Sequence, residues 1–327
     1  MEVKHWAEDL IKSAKDMNTS DIFITGKQDF YEVNFRTSKG LIRREKLNLQ
    51  FGLEVINYFK FIAQMDVSEH RRPQVGSYIF KNNKQSQVVF LRFSVLGEFS
   101  GKESLVIRLI NSIQNNRYFF IEQVDLLTAA AIKRGLILTS GPTGSGKTST
   151  MYYLAKKLAH QKVVMTIEDP VEVFEPEFLQ TQINLEAGID YESLLKAALR
   201  QRPDILIIGE IRDKVTARLA VDAALSGHLV LATVHARSTL QTIARLKGLG
   251  IDSVELANCL NCVSYQRLIQ TIDGEIACLL DIASGETLHK EINKSKTGDF
   301  INWRENLAEL LKEERISGDS FTSFQEG

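Results

Sequence analysis

Residues 141–149 read GPTGSGKTS and follow directly on an apolar run at 136–138. The spacing Gly141-x4-Gly146-Lys147-Thr148 matches a phosphate-binding loop at every fixed position, and such a loop works only between a strand and a helix. Gly141, Gly144 and Gly146 let the backbone curl so that the N–H groups of residues 144–148 face inward around a phosphate. Pro142, Thr143, Ser145 and Ser149 complete the loop. The helix N-terminus adds its positive dipole end, Lys147 reaches the β/γ oxygens, and the Thr148 hydroxyl is offered to Mg²⁺. ATP with Mg²⁺ is therefore the expected ligand, and an α/β fold is required.

The rest of the chain agrees with that demand. From residue 121 the pattern alternates strands at 136–139, 163–167, 205–208 and 229–234 with helices at 124–133, 147–160, 191–200, 216–224 and 239–249. Apolar strands of this length separated by helices predict a parallel sheet covered on both faces, with ligand bound at the carboxyl ends of the strands. The loops after 139, 167, 208 and 234 are expected to converge. Before residue 110 the pattern is different: helices at 6–17 and 51–64 among strands at 21–25, 31–36, 41–44, 77–80, 87–95 and 104–109 predict a smaller α+β domain. The expected division is 1–112, a linker at 113–120, and 121–327. The stretch 259–267 reads as one helix.

Three further acids and bases stand where strands end. An apolar strand ending in aspartate usually supplies the metal-side acid of a phosphate-binding loop, but 205–210 reads ILIIGE. Glycine holds the aspartate's place, so Glu210 is expected to take the Mg²⁺ role with Thr148, through a water because its side chain is longer. Glu168, in EDPVE after the strand at 163–167, is placed to orient and deprotonate an attacking water. His235 closes the strand at 229–234 and can approach the γ-phosphate, whereas His228 lies near its opposite end.

Composition narrows the function class. The 327 residues are 44 % hydrophobic and 25 % charged, enough for two domains, and no apolar run reaches the roughly 18 residues that span a bilayer. A cytoplasmic protein is expected, the three cysteines being too few for a disulfide framework. Residues 1–117 hold 18 Lys and Arg against 13 Asp and Glu, a net of +5; the overall net of −1 leaves −6 for the remainder. That balance, with no basic stripe interleaved with aromatics, argues against direct DNA binding.

GPTGSGKTS, TIEDPVE at 166–172, LRQRPDILIIGEIRD at 199–213 and SGHLVLATVHA at 226–236 resemble, in order and spacing, the four nucleotide boxes of the secretion and type IV pilus ATPases. Arg245, the QRL of 266–268, and 19–22, 71–74, Arg92 and Arg108 extend the resemblance. It implies a homo-hexameric ring whose subunits pair a PAS-like N-terminal domain with a RecA-like P-loop ATPase domain. It also implies work at the inner face of the cell membrane on a platform protein and, indirectly, on pilin-like subunits. Glu168 takes the place of the family's catalytic glutamate, Glu210 of its Walker B glutamate, and His228 and His235 of its histidine box. Arg92 and Arg108 match arginines that reach nucleotide phosphates across domains or subunits.

Beside longer relatives, neither an N-terminal extension nor a four-cysteine zinc module after QRL is expected here; Arg202 replaces an acid before the Walker B proline. Zinc at Cys259, Cys262, Cys278 and His289 is not expected. The short form resembles the competence branch of the family, motors for a pseudopilus used in DNA uptake. A retraction or type II secretion motor, a RecA-type nucleic-acid translocase and a nucleotide-holding regulator remain the alternatives.

Overall fold

The computed structural model describes residues 2–37, 40–82, 87–99, 101–110, 117–294 and 298–327. The chain divides into two compact units, Met1–Ser112 and Ile113–Gly327. Residues 113–116 of the expected linker lie outside the described residues.

The first unit is an antiparallel sheet with two helices. Helix α1 (Glu2–Asp16) precedes β1 (Asp21–Gly26), β2 (Phe30–Thr37) and β3 (Gly40–Asn48). Helix α2 (Leu49–Ile62) leads to β4 (Gln74–Asn82), β5 (Gln87–Gly97) and β6 (Glu103–Ile110). The strand order is β3-β2-β1-β6-β5-β4. Alternating residues of the central strands, among them Ile22, Val33, Phe93 and Ile107, pack with Ala7, Ile11, Val55 and Phe59 of the helices. Lys60 is wholly buried beneath this layer, its ammonium 2.7 Å from Glu103 Oε1 and 2.7 Å from the Glu69 carbonyl oxygen.

The second unit holds a seven-stranded sheet. Its order is β13-β12-β7-β11-β10-β8-β9, built from β7 (Gly135–Ser140), β8 (Val164–Glu168), β9 (Leu179–Gln182), β10 (Ile205–Ile211), β11 (Leu229–Val234), β12 (Leu260–Gln270) and β13 (Ile276–Ser284). Every pairing is parallel except that of β12 with β13. Residues of one parity, such as Leu136, Ile167, Leu206 and Val230, pack against α5 (Tyr191–Gln201), α6 (Lys214–Leu225) and α7 (Thr239–Gly248). Those of the other, such as Ile137, Val164, Ile207 and Leu231, pack against α3 (Ile121–Ala130) and α4 (Lys147–Leu158). Both faces are therefore apolar, as a helix-covered parallel sheet requires. The helices start on side-chain caps: Asp190, Asp213 and Ser238 accept the backbone N–H groups of Ser193, Thr216 and Gln241.

The stretch expected to be a helix at 259–267 is not one. Helix α8 (Ser253–Cys259) stops at Cys259 and β12 begins at Leu260. β12 lies between β7 and β13 and is buried along most of its length, polar Ser264 and Gln266 included, so its sequence lacks the polar and apolar alternation that would have marked a strand. The cysteines lie in three different apolar clusters, and burial pushes each thiol up to about 12. The connector's end at Arg117–Phe119 runs beside β13, exchanging backbone hydrogen bonds with Cys278. Helices α9 (Gly285–Ile292), α10 (Trp303–Lys312) and α11 (Gly318–Phe324) close the unit.

Candidate active site

The carboxyl ends of β7, β11, β10 and β8, four adjacent parallel strands, open into one cavity of about 450 Å³. Thr143, Gly144, Gly146, Lys147, Thr148 and Ser149 form one wall, and Glu168, Glu210, His235 and Arg212 face them.

The loop owes its path to its glycines. Gly141, Gly144 and Gly146 take φ of +143°, +79° and +85°, backbone that side chains resist. A Cβ on Gly141 would stand 2.6 Å from both the Gln266 carbonyl oxygen and Ser145 Oγ. Lys147 Nζ donates to the carbonyls of Gly141 and Pro142, each at 2.9 Å. Among the described residues it forms no ion pair, and burial holds its ammonium below the usual lysine range against the pull of Glu210 and Glu172. The first-turn N–H groups of α4 have no carbonyl partner within the helix. An unpaired cation, free N–H donors and an open glycine at 144 together suit a polyphosphate.

Opposite the loop, β10 carries a bulge. Ile208 pairs with Ala232 and Ile211 with Val234, so Gly209 and Glu210 together oppose Thr233, whose hydroxyl donates to the Gly209 carbonyl at 2.6 Å. The extra residue re-aims the Glu210 side chain into the cavity. Glycine before it leaves room for the neighbouring strand: a Cβ at 209 would stand 3.3 Å from the Glu168 Cα, a tight contact. Glu210 is then engaged from both sides: His235 Nε2 lies 3.0 Å from Oε1 and Arg212 Nε donates to Oε2 at 2.5 Å. Arg212 also reaches Asp169 at 3.5 Å, and Arg245 donates to the Arg212 carbonyl at 3.1 Å.

Glu168, last residue of β8, points to the α4 side and is 2 % exposed. Its Oε1 accepts hydrogen bonds from Thr166 Oγ1 at 2.6 Å and from the Tyr152 hydroxyl. Burial raises its carboxyl above the ordinary range, and the Thr166 and Tyr152 hydroxyls oppose that rise. Thr148 Oγ1 is 3.1 Å from Glu172 Oε2. Hydroxyl and carboxylate oxygens at this spot are the hard donors that Mg²⁺ takes, alongside waters and substrate phosphates.

The structure thus brings together the loop, Glu168, Glu210 and His235. It does not bring His228 there: that side chain sits at the amino end of β11, Nδ1 3.1 Å from the Ala223 carbonyl oxygen, because a strand separates the two histidines. Arg92 and Arg108 belong to the first unit, directly opposite each other on β5 and β6. Arg108 Nε donates to Asp21 Oδ1 at 2.8 Å. Sequence reasoning missed Arg212, Tyr191, Glu172 and Tyr152 as site-side residues. Arg212 and Glu172 lay within the quoted boxes, whereas Tyr152 and Tyr191 carried no motif. Tyr191 lines the cavity, and burial lifts its phenol to about 12.

A family model described as type II/IV secretion system protein matches residues 2–316. This chain belongs to that family. The competence protein ComGA of Streptococcus pneumoniae is 40 % identical over 315 residues, covering 96 % of each chain. ComGA of Bacillus subtilis is 38 % identical over 280 residues, 83 % of this chain and 76 % of its own. Among solved structures, the pilus retraction motor PilT with bound ADP aligns with a TM-score of 0.76 at 21 % identity, covering 97 % of this chain and 96 % of its own; this likeness concerns the fold. The secretion-family chain is an ATP-hydrolysing enzyme with a RecA-like domain behind an antiparallel N-terminal unit. Among its described residues no helix is long and apolar enough to cross a membrane.

Proposed function

We propose that this ATPase powers assembly of a competence-type pseudopilus for DNA uptake, as a homo-hexameric ring at the inner face of the cell membrane, acting on a platform protein and through it on pilin-like subunits. The match to a competence protein at 40 % identity over 96 % of each chain carries this reading. Of the alternatives within the family, the retraction motor aligns over as much of the chain but at 21 % identity, and the type II secretion relative is covered over 62 % of its own length.

In the proposed reaction the loop N–H groups and Lys147 hold the β- and γ-phosphates of ATP. Thr148 would hold Mg²⁺ together with Glu210, the latter through a water, and the ion would neutralise charge on those phosphates. Glu168 accepts a proton from the attacking water; buried and raised in basicity, it is suited to that task. His235 and Arg212 fix the Glu210 carboxylate. Arg92 and Arg108 are assigned a share in turnover, so alanine at either lowers turnover far more than nucleotide affinity.

Two experiments test this. Phosphate release by the purified protein is expected with no stimulation by DNA; strong stimulation would favour a translocase, and no release a nucleotide-holding regulator. Deletion in the host is expected to abolish both surface pilin and DNA uptake. Deleted cells with normal or excess pili would replace assembly by retraction and leave the ATPase chemistry standing.

A further inference from the structure

The α4 face of the sheet holds a chain of buried polar groups that ends at Glu168. Gln180 Oε1 accepts the Glu175 backbone N–H at 2.9 Å, and its Nε2 donates to the Val173 carbonyl at 2.7 Å. These two backbone partners fix which end of the amide is which. The same Nε2 then donates to the Tyr152 hydroxyl at 2.7 Å, so the tyrosine oxygen already receives a hydrogen and its own hydrogen goes to Glu168 Oε1. Tyr152 is wholly buried, its ring 5.7 Å from that of Phe178, and cannot turn away. Thr166 donates to the same Oε1. The Gln180 amide also bears on the Glu168 carboxylate itself, and that carboxylate lines the cavity.

We propose that Tyr152, oriented by Gln180, is a positioning residue that holds Glu168 by Oε1 and presents Oε2 to the attacking water. The proposal rests on the reading of Glu168 as proton acceptor. Burial and the nearby Glu172 carboxylate favour the protonated form of Glu168, while Thr166, Tyr152 and Gln180 oppose it, so the tyrosine helps to set the pH below which hydrolysis stops.

The test is the pH dependence of single-turnover ATP hydrolysis by the full chain. In Tyr152→Phe the acid limb is expected to move up by about one pH unit, which is about tenfold in rate on that limb, while KM for ATP and ADP affinity hold. Gln180→Leu, which strips the tyrosine of its donor and the carboxylate of the same amide's support, is expected to move the limb the same way; it decides the matter if Tyr152→Phe does not fold. An unmoved limb, a change confined to KM, or failure of both variants to fold would overturn the proposal and leave a structural role. Glu168→Gln, run alongside, separates the two levels. If it still hydrolyses ATP, the proton-acceptor reading itself fails; if it is inactive and the Tyr152→Phe limb stays put, only the present proposal does.

Discussion

Lys147 and Glu168 sit at the two ends of the same chemistry, one a cation without an ion-pair partner among the described residues and the other a carboxylate taken out of water. Lys147→Ala removes the only side-chain cation of the loop, so hydrolysis is expected to fall by about 10²–10³-fold or more with weaker nucleotide binding. Phosphate release near the wild-type rate would refute the nucleotide reading. Glu168→Gln keeps the size and the acceptor oxygen for Thr166 and Tyr152 but removes the buried charge. Because the folded carboxyl titrates above its unfolded value, the folded chain binds that proton more tightly. The group's favourable contribution to stability is thus present at low pH and lost as pH rises through the folded pKa. The glutamine variant is expected to melt at or above the wild-type temperature at pH 8, with the difference shrinking toward pH 5. A variant that melts lower at pH 8 and not at pH 5 would contradict this sign.

Elements matter here through their ends. The phosphate loop is pinned by β12, since Gly141 packs under the Gln266 backbone and Gln266 Nε2 donates to the Ser145 carbonyl at 2.6 Å. Gly141→Ala must push those atoms apart in a backbone region hostile to side chains, at a cost of about 1–3 kcal/mol, and is expected to lower both the melting temperature and ATP affinity. Retention of both would mean that the loop relaxes freely. The boundaries of α1, α5, β7 and β11 were legible from periodicity and turn residues to within a few positions. β9, four half-exposed residues, was not, and β12 was read as a helix because both its faces mix polar with apolar side chains and so show no period of two.

At the scale of the whole molecule the two units carry separate cores. The first depends on a buried ion pair, Lys60 with Glu103, whose second oxygen is 2.8 Å from His70 Nδ1. Lys60→Met leaves that carboxylate without its buried cation and is expected to destabilise by about 3–5 kcal/mol. Calorimetry on the full chain is expected to show an early transition from the first unit, while ADP raises only the later one, which belongs to the unit holding the phosphate loop. A single transition lowered throughout and raised throughout by ADP would show instead that the units unfold together.

The groups of a phosphate loop are adjacent in the chain, five consecutive peptide groups with a lysine and a hydroxyl, so GPTGSGKTS between a strand and a helix was enough to announce an α/β unit and a loop suited to phosphate, although β12 helps to pin that loop. The acids had to be brought from elsewhere, and their positions in the chain announced only that strands end there. Glu210 faces the loop because a bulge breaks the alternation of β10, His235 and Arg212 grip it because β11 and the β10 end are neighbours, and His228 is excluded because a whole strand lies between. Tyr152 looks like one more apolar position of α4 until β8 and β9 set Glu168 and Gln180 around its hydroxyl. Contacts between residues distant in the chain follow from sheet order and packing, and those exist only in the folded molecule.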